Sequence, residues 1–517
     1  MSDDRVGSIV IVGAGAPAWL AAAILARVLK QPGYRITLVE PRHRAAREIS
    51  YASLPSLHRA IALLGINEAD LVRKTRATFR LGTRFDDWGR PGEQYFHGFG
   101  SVGARFEALP FHHQWSRLRQ AGEVAGLEEF SPAAMAARAG RFAPPLADAR
   151  SVLSLYSYAY HFDAELLTAY LREYALAHGV VRLERNVREV RLAADGFIEA
   201  LRLDDDSSIE ADLYVDGGGA TGQLFERMSE APDGWQAWSR WLPCDRIVEQ
   251  SFAGDANPPP CSEASACAAG WQWRVPLRGR VDRGYAFCSD FMSDEQAAAA
   301  LSPEPAHGAP SDHSVPTPHH ASAEPHVRSI ARGRPREFWA HNFLTLPGAA
   351  LPPLESTALH FVQTGITRLL ALFPVQRFSP KDMQEYNRQS ALEYDRVRDF
   401  LILHFKATAR ADSPFWNYCR SMDVPETLRQ RIELFQRCGR IALLDEEHFG
   451  EDSWLIAMVG QGINPQSYDP LADVAGVERV RAVFERMRLE IRNAVHALPT
   501  HGQFLEALGR GEIRRPA

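Results

Sequence analysis

Residues 8–23 read SIVIVGAGAPAWLAAA, and this stretch constrains the chain more than any other. Ser8 to Val12 is an apolar run rich in β-branched residues, the pattern of a buried parallel strand. Gly13, Gly15 and Ala18 fit the spacing G-x-G-x-x-G/A, with Ala14, Ala16 and Pro17 between them. Gly13 permits a tight turn, Gly15 lets backbone N–H groups approach a pyrophosphate, and Ala18 allows close helix–strand packing. Pro17 suits the first turn of the following helix, where its missing N–H is not needed. That helix would face a bound phosphate with its positive dipole end. A second strand, residues 35–39 (RITLV), ends in Glu40, placed to bind a ribose hydroxyl. Strand, turn, helix and closing acid together predict a nucleotide site, against the alternative of a glycine-rich turn with no ligand.

A chain of 517 residues is long enough for one large core or two to three domain-sized units. Its net charge of −6 gives no global basic surface for nucleic acid or an anionic membrane. No apolar run is long enough to span a bilayer. The acidic start, MSDDRVGS, leads straight into the first strand and does not read as a signal peptide. The six cysteines form no CxxC pair and read as reduced thiols of a cytoplasmic protein; Cys261 and Cys267 are expected to be free rather than bridged.

Further along, residues 54–72 have helical spacing, and residues 77–85 (ATFRLGTRF) alternate like a strand. His97 lies between aromatics in YFHGFG; alone it reads as a satisfied structural histidine. Residues 104–150 are Ala- and Arg-rich and mostly helical by pattern. Asp163 is a plausible N-cap for a helix over 164–178. Residues 180–190 and 196–203 read as strands of a second sheet. Residues 211–222 (ADLYVDGGGATG) read as another buried strand, with Asp216 near a second cofactor contact. In 270–277 (GWQWRVPL) two tryptophans at i and i+2 share one strand face. Residues 301–329 are rich in Pro, His, Ser and Ala and read as a flexible insertion without metal-ligand spacing. A helix is expected over 356–372, its N-terminus favourable to an anion. Further helices are expected over 383–408, 425–438 and 471–497.

Together these stretches resemble the flavin-dependent tryptophan halogenase family, from Ile9 to about Leu508. The most specific match is Trp271-Gln272-Trp273-Arg274-Val275-Pro276, similar to the family's W-x-W-x-I-P motif. HFD at 161–163, PLEST at 353–357 and SWLIAMVGQGINP at 453–465 follow in order. The resemblance implies a two-component enzyme. FADH2 comes from a separate, transiently bound flavin reductase, and O2 gives a C4a-hydroperoxide. Chloride or bromide attacks it, and the hypohalous acid reaches a small aromatic substrate through a tunnel lined by Trp271 and Trp273. By family position, Thr357 and Ala358 offer N–H groups to halide, and Glu355 is the carboxylate near the substrate. His97 and Phe99 match the aromatic clamp, and Val187, Leu346 and Leu359 fall at cofactor-contacting positions with Gly13, Gly15, Ala16, Pro17, Ala18, Glu40 and Asp216.

The family's catalytic lysine position is Arg80 here, in Thr78-Phe79-Arg80-Leu81-Gly82. Arginine can hydrogen-bond hypohalous acid but is a poor haloamine former, because guanidinium stays protonated. The family's G-E-A-T-x-P loop reads Ser50-Tyr51-Ala52-Ser53-Leu54-Pro55, without its Gly and Glu. The expected fold is α/β, a doubly wound, Rossmann-like FAD-binding module of the GR2 type interleaved with a mainly helical substrate-covering module. The expected division is 1–100 and 151–380 for the first, 101–150 and 381–517 for the second, as a monomer or homodimer. The expected activity is halogenation of an indole-type ring. Flavin-dependent monooxygenation or oxidation on the same scaffold, and a catalytically silent FAD-binding paralogue, stand as alternatives.

Overall fold

A computed structural model describes residues 6–31, 33–42, 48–106, 109–122, 125–217, 224–225, 234–301, 324–348, 350–374 and 378–512. The chain falls into two compact units. The first comprises Met1–Ala77, Phe162–Ser239 and Arg328–Asp395; the second comprises Thr78–His161, Arg240–Val327 and Arg396–Ala517.

The first unit is built on a sheet ordered Trp339–Ala340, Phe343–Thr345, Leu213–Asp216, Ser8–Val12, Arg35–Glu40 and Val181–Glu184. All neighbours run parallel except the first pair, which is antiparallel. Ile9 to Val12 are buried, as a central strand covered on both faces requires. Helix Gly15–Val28 follows at once and buries Trp19, Leu20 and Ile24. Of the two strands expected over 180–203, the first divides. Val181–Glu184 joins the parallel sheet, while Val187–Leu192 pairs with Ile198–Leu203 in a separate antiparallel sheet. The helix expected over 54–72 is two helices, Leu57–Leu64 and Glu68–Thr75. Gly65 ends the first at φ 66°, and the Asn67 side chain caps the second by accepting from Asp70 N at 3.0 Å. Asp163 caps Ala164–Ala177 as expected, accepting from Leu166 N at 2.9 Å.

The second unit contains a mixed sheet in which Arg246–Ala253, Arg280–Phe287, Gly270–Leu277, Ser262–Cys267, Gly82–Asp86 and Gln94–Gly98 are successive neighbours. The single strand expected over 77–85 is two strands in different sheets. Thr78–Arg80 pairs antiparallel with Ala159–Asp163, placing Arg80 opposite Ala159. Gly82–Asp86 pairs with Gln94–Gly98 and Ser262–Cys267. The break is at Leu81, whose N–H donates to Pro260 O at 2.7 Å. Gly82 then passes so close to the next strand that a Cβ there would overlap the His97 carbonyl oxygen. Around the sheet lie helices Phe111–Gln120, Pro132–Arg138, Pro414–Ser421, Glu426–Cys438, Glu451–Gly460, Val477–His496 and His501–Gly509. Residues 139–150, expected to continue a helical region, carry no helix. The strands between 246 and 287 fall in the same compact unit as these helices, where the division expected from sequence places them with the nucleotide module. Most of the 301–329 insertion, residues 302–323, lies outside the described residues; its end forms the strand His326–Ser329.

Candidate functional site

The nucleotide fingerprint forms the turn its spacing demands. Gly13 N donates to Val39 O at 3.1 Å, closing the first strand against the second. Gly15 takes φ +78°, a conformation that favours glycine, and a Cβ there would lie 3.4 Å from the Tyr51 hydroxyl. Ala18 is buried, and a Cβ on Gly217 would come within 3.2 Å of its Cα. Two small residues therefore bring helix and strand together, as the third fingerprint position requires. Ala16 is buried and Pro17 occupies the helix's first turn. This is a cradle shaped for backbone approach to a pyrophosphate, and it fits FAD.

Glu40 ends its strand 2% exposed, accepting from Arg182 Nε at 2.7 Å and from Trp19 Nε1 at 3.5 Å. These contacts fix the carboxylate at the sheet's carboxyl edge, where a ribose would bind. Asp216, also buried, accepts from Leu224 N and Phe225 N at 2.7 and 2.9 Å. Its main-chain oxygen accepts from Leu346 N at 2.8 Å. In register with Asp216 stands Thr345, whose buried hydroxyl has no partner among the described residues. Val187 and Leu359 face apolar packing: Val187 lies in the cluster with Val10, Val39 and Leu201, and Leu359 lies beside Leu20, Leu57 and Ile61.

PLEST folds as a short turn, Pro353–Glu355, followed by helix Ala358–Ala371. Ser356 joins them in the left-handed region at φ 58°, an uncommon conformation for a non-glycine residue. Glu355 is fully buried and Thr357 nearly so. The expected start at 356 is therefore Ala358, which leaves the Thr357 and Ala358 N–H groups at the positive end of a 14-residue helix. Gly348 lies against this end: a Cβ there would be 2.9 Å from Ala358 O.

In the second unit Arg80 is fully buried. Its Nε donates to Ser262 Oγ at 3.0 Å and its Nη2 to Thr83 Oγ1 at 2.6 Å. Its guanidinium carbon lies 5.0 Å from the Phe99 ring centroid. Behind Ser262 a chain of hydrogen bonds sets every proton. Thr78 Oγ1 donates to Pro276 O at 2.8 Å, so it accepts from His161 Nδ1 at 3.1 Å. Burial first, then the Arg80 charge, holds His161 far below the usual imidazole range, so the ring is neutral. Its Nε2 therefore accepts from the Ser262 hydroxyl at 2.8 Å. The HFD histidine and the proline of the tryptophan motif thus both support Arg80.

The two tryptophans share a face, as their spacing predicts. Their centroids are 5.1 Å apart, and Trp271 also lies 6.3 Å from Trp88. Trp273 lies over Gly284 on the neighbouring strand. Trp271 is 1% exposed, and its indole N–H has no partner among the described residues.

His97 is buried within an aromatic group. Phe99 stands 6.4 Å away, Phe400 5.5 Å and Phe449 6.1 Å by ring centroids. Phe449 stacks on Phe400 at 4.0 Å, and Phe400 meets Trp454 edge-on at 5.0 Å. Trp454 packs under Arg431 and donates to Glu447 Oε1 at 3.2 Å. Sequence reasoning found His97 and Phe99 but not Phe449 or Asp452. Asp452 lies in the first turn of Glu451–Gly460, and burial pushes its carboxyl up to about 6, against a hydrogen bond from the Val102 backbone. The signal was present: Gly450 followed by two acids before an apolar run marks a helix start.

Known proteins show the same arrangement of chain. The tryptophan halogenase family model matches residues 8–478. Tryptophan 7-halogenase KtzQ of Kutzneria sp. (strain 744) is 27% identical over 99% of this chain and 100% of its own. BrvH, a flavin-dependent halogenase from Brevundimonas sp. BAL3, is 38% identical, with a TM-score of 0.89 over 98% of this chain and 100% of that one. Xcc4156, a flavin-dependent halogenase from Xanthomonas campestris, is 35% identical, with a TM-score of 0.89 over 99% of each chain. With the family model spanning most of its length and the dinucleotide cradle in place, the chain belongs to the flavin-dependent tryptophan halogenase family.

Proposed function

We propose that this protein halogenates an aromatic, indole-type ring, using halide, O2 and FADH2 delivered by a separate flavin reductase. The observation that carries the reading is the fixed Arg80 guanidinium, buried beside Phe99 and anchored by Ser262 and Thr83. Reduced flavin, when bound, supplies the oxygen chemistry that converts halide to hypohalous acid.

The protein's own residues do the rest. Gly13, Gly15 and the helix behind them bind pyrophosphate; Glu40 takes ribose hydroxyls. Thr357 and Ala358 present N–H groups to the halide. Trp271 and Trp273 form an apolar wall that keeps organic molecules from the flavin side. Arg80 hydrogen-bonds hypohalous acid and polarises it toward the ring; it does not form a haloamine, because a guanidinium keeps its proton. His97, Phe99 and Phe449 hold the substrate ring. Glu355 stabilises the cationic ring intermediate or accepts its proton.

Arginine in the lysine position favours a second reading, flavin-dependent oxygenation without halide. One experiment separates them. The protein is incubated with FAD, a flavin reductase, NADH, bromide and a panel of indoles, and products are read by mass. A brominated product supports halogenation; an oxygenated product without bromine supports the second reading and overturns the first.

A further inference from the structure

An apolar cavity of about 20 Å3 lies inside the first unit, with walls from both helices that face the cofactor. Leu20 reaches it from the helix after the glycine turn, one turn beyond Ala16. Leu359 reaches it from the helix after PLEST, one position beyond Ala358. Helices Leu57–Leu64 and Ala164–Ala177 supply much of the remaining wall, with Ala60, Ile61 and Leu167 among their lining residues. Every side chain lining the cavity is a hydrocarbon.

Size and chemistry limit what can enter. A space of this volume takes one molecule about as large as water, and a water held there would need about two to four polar partners. The side chains offer none. At the turn beside the cavity the backbone is also occupied, with Ile66 N donating to Ile61 O at 3.1 Å. Placing a charged or hydrogen-bonding molecule against such a wall would strip it of water without replacement. Of the reactants in the reading above, halide is charged, and flavin and the aromatic ring are too large. O2 is small and uncharged, and it dissolves better in hydrocarbon than in water.

The cavity also lies in the right place. Leu20, Ile61, Leu167 and Leu359 are buried, whereas Ile66 is only half-buried, so the wall at Ile66 is the one nearest solvent. Leu20 and Leu359 stand near the helix starts that take pyrophosphate and halide in the reading above.

We propose that this cavity holds O2, one molecule at a time, between the solvent side at Ile66 and the cofactor side at Leu359. The inference rests on the use of O2, which halogenation and oxygenation share, and not on which of the two occurs.

The test uses the full-length protein without flavin, its Leu and Ile methyl groups labelled with carbon-13, under O2 pressure. O2 is paramagnetic and speeds the relaxation of the methyl groups it touches. Methyls of Leu20, Ile61 and Leu359 are expected to gain at least threefold more relaxation than those of Leu38 and Leu213, which are buried in the central sheet. Ala60→Val, which fills the cavity, should abolish that excess. At saturating flavin it should also slow, at least threefold, the reoxidation of bound FADH2 by O2 to FAD and H2O2. Leu167→Phe is a second filling variant, and thermal unfolding checks that each is folded. The wild-type measurement needs neither variant nor product, so it is decided separately from the indole assay. The proposal is overturned if the cavity methyls gain no more than the sheet methyls, or if a filled cavity leaves reoxidation as fast as in the wild type.

Discussion

Ser262 stands between Arg80 and His161, accepting from the first at 3.0 Å and donating to the second at 2.8 Å. Because Thr78 already donates to Pro276 O, the directions of the hydrogen bonds linking Thr78, His161 and Ser262 are settled, and Arg80 is held through Ser262 by that directed network. Ser262→Ala leaves Arg80 Nε and His161 Nε2 without this partner in a buried site. The expected loss is about 1–3 kcal/mol of unfolding free energy, measured by urea denaturation. Ser262→Thr, which keeps the hydroxyl, should lose less than half as much.

Trp273 is seated on a glycine. A Cβ at position 284 would overlap its six-membered ring, so Gly284→Ala must displace the indole. The expected cost is about 1–3 kcal/mol, with a changed near-ultraviolet circular dichroism spectrum. Ala at Gly509, where a Cβ meets nothing within 4 Å and φ is not positive, as at Gly284, is the control without such overlap.

The Asp452 carboxyl, raised to about 6 from 3.8 by burial, makes stability pH-dependent. The folded state binds more protons than the unfolded state between these values, so stability falls as pH rises through that window. Above it the full cost of the buried charge is present, up to about 3 kcal/mol. Asp452→Asn should therefore be more stable than the wild type at pH 7.5 and nearly equal to it at pH 4. Thermal midpoints at the two pH values check this; an equal gain at both would contradict it.

Gly15→Ala should weaken flavin binding at least tenfold. The residue sits at φ +78°, where a side chain is strained, and its methyl would fill the space up to van der Waals contact with the Tyr51 hydroxyl and narrow the approach to the turn. Equilibrium titration with FAD measures the change.

Features written in adjacent residues were legible from sequence. The glycine turn, the Asp163 cap and the shared face of Trp271 and Trp273 each depend on neighbours a few positions apart, and each formed as read. Features set by distant partners were not. The strand through Arg80 breaks because Leu81 binds Pro260 and Gly82 must clear His97, contacts invisible in the alternation of 77–85. The support of Arg80 by Ser262 and His161 joins residues 182 and 81 positions away. Phe449 reached the aromatic group from an irregular stretch with no periodicity to mark it.

The central claim is that Arg80, held in place, serves halogenation. The decisive measurement compares bromination of indole by wild type, Arg80→Lys and Arg80→Leu, each at matched FAD occupancy with the same reductase. The account predicts a higher rate for Arg80→Lys, which supplies the lysine that the family resemblance implies at this position, and at least a tenfold loss for Arg80→Leu. Equal bromination by Arg80→Leu and the wild type would contradict it.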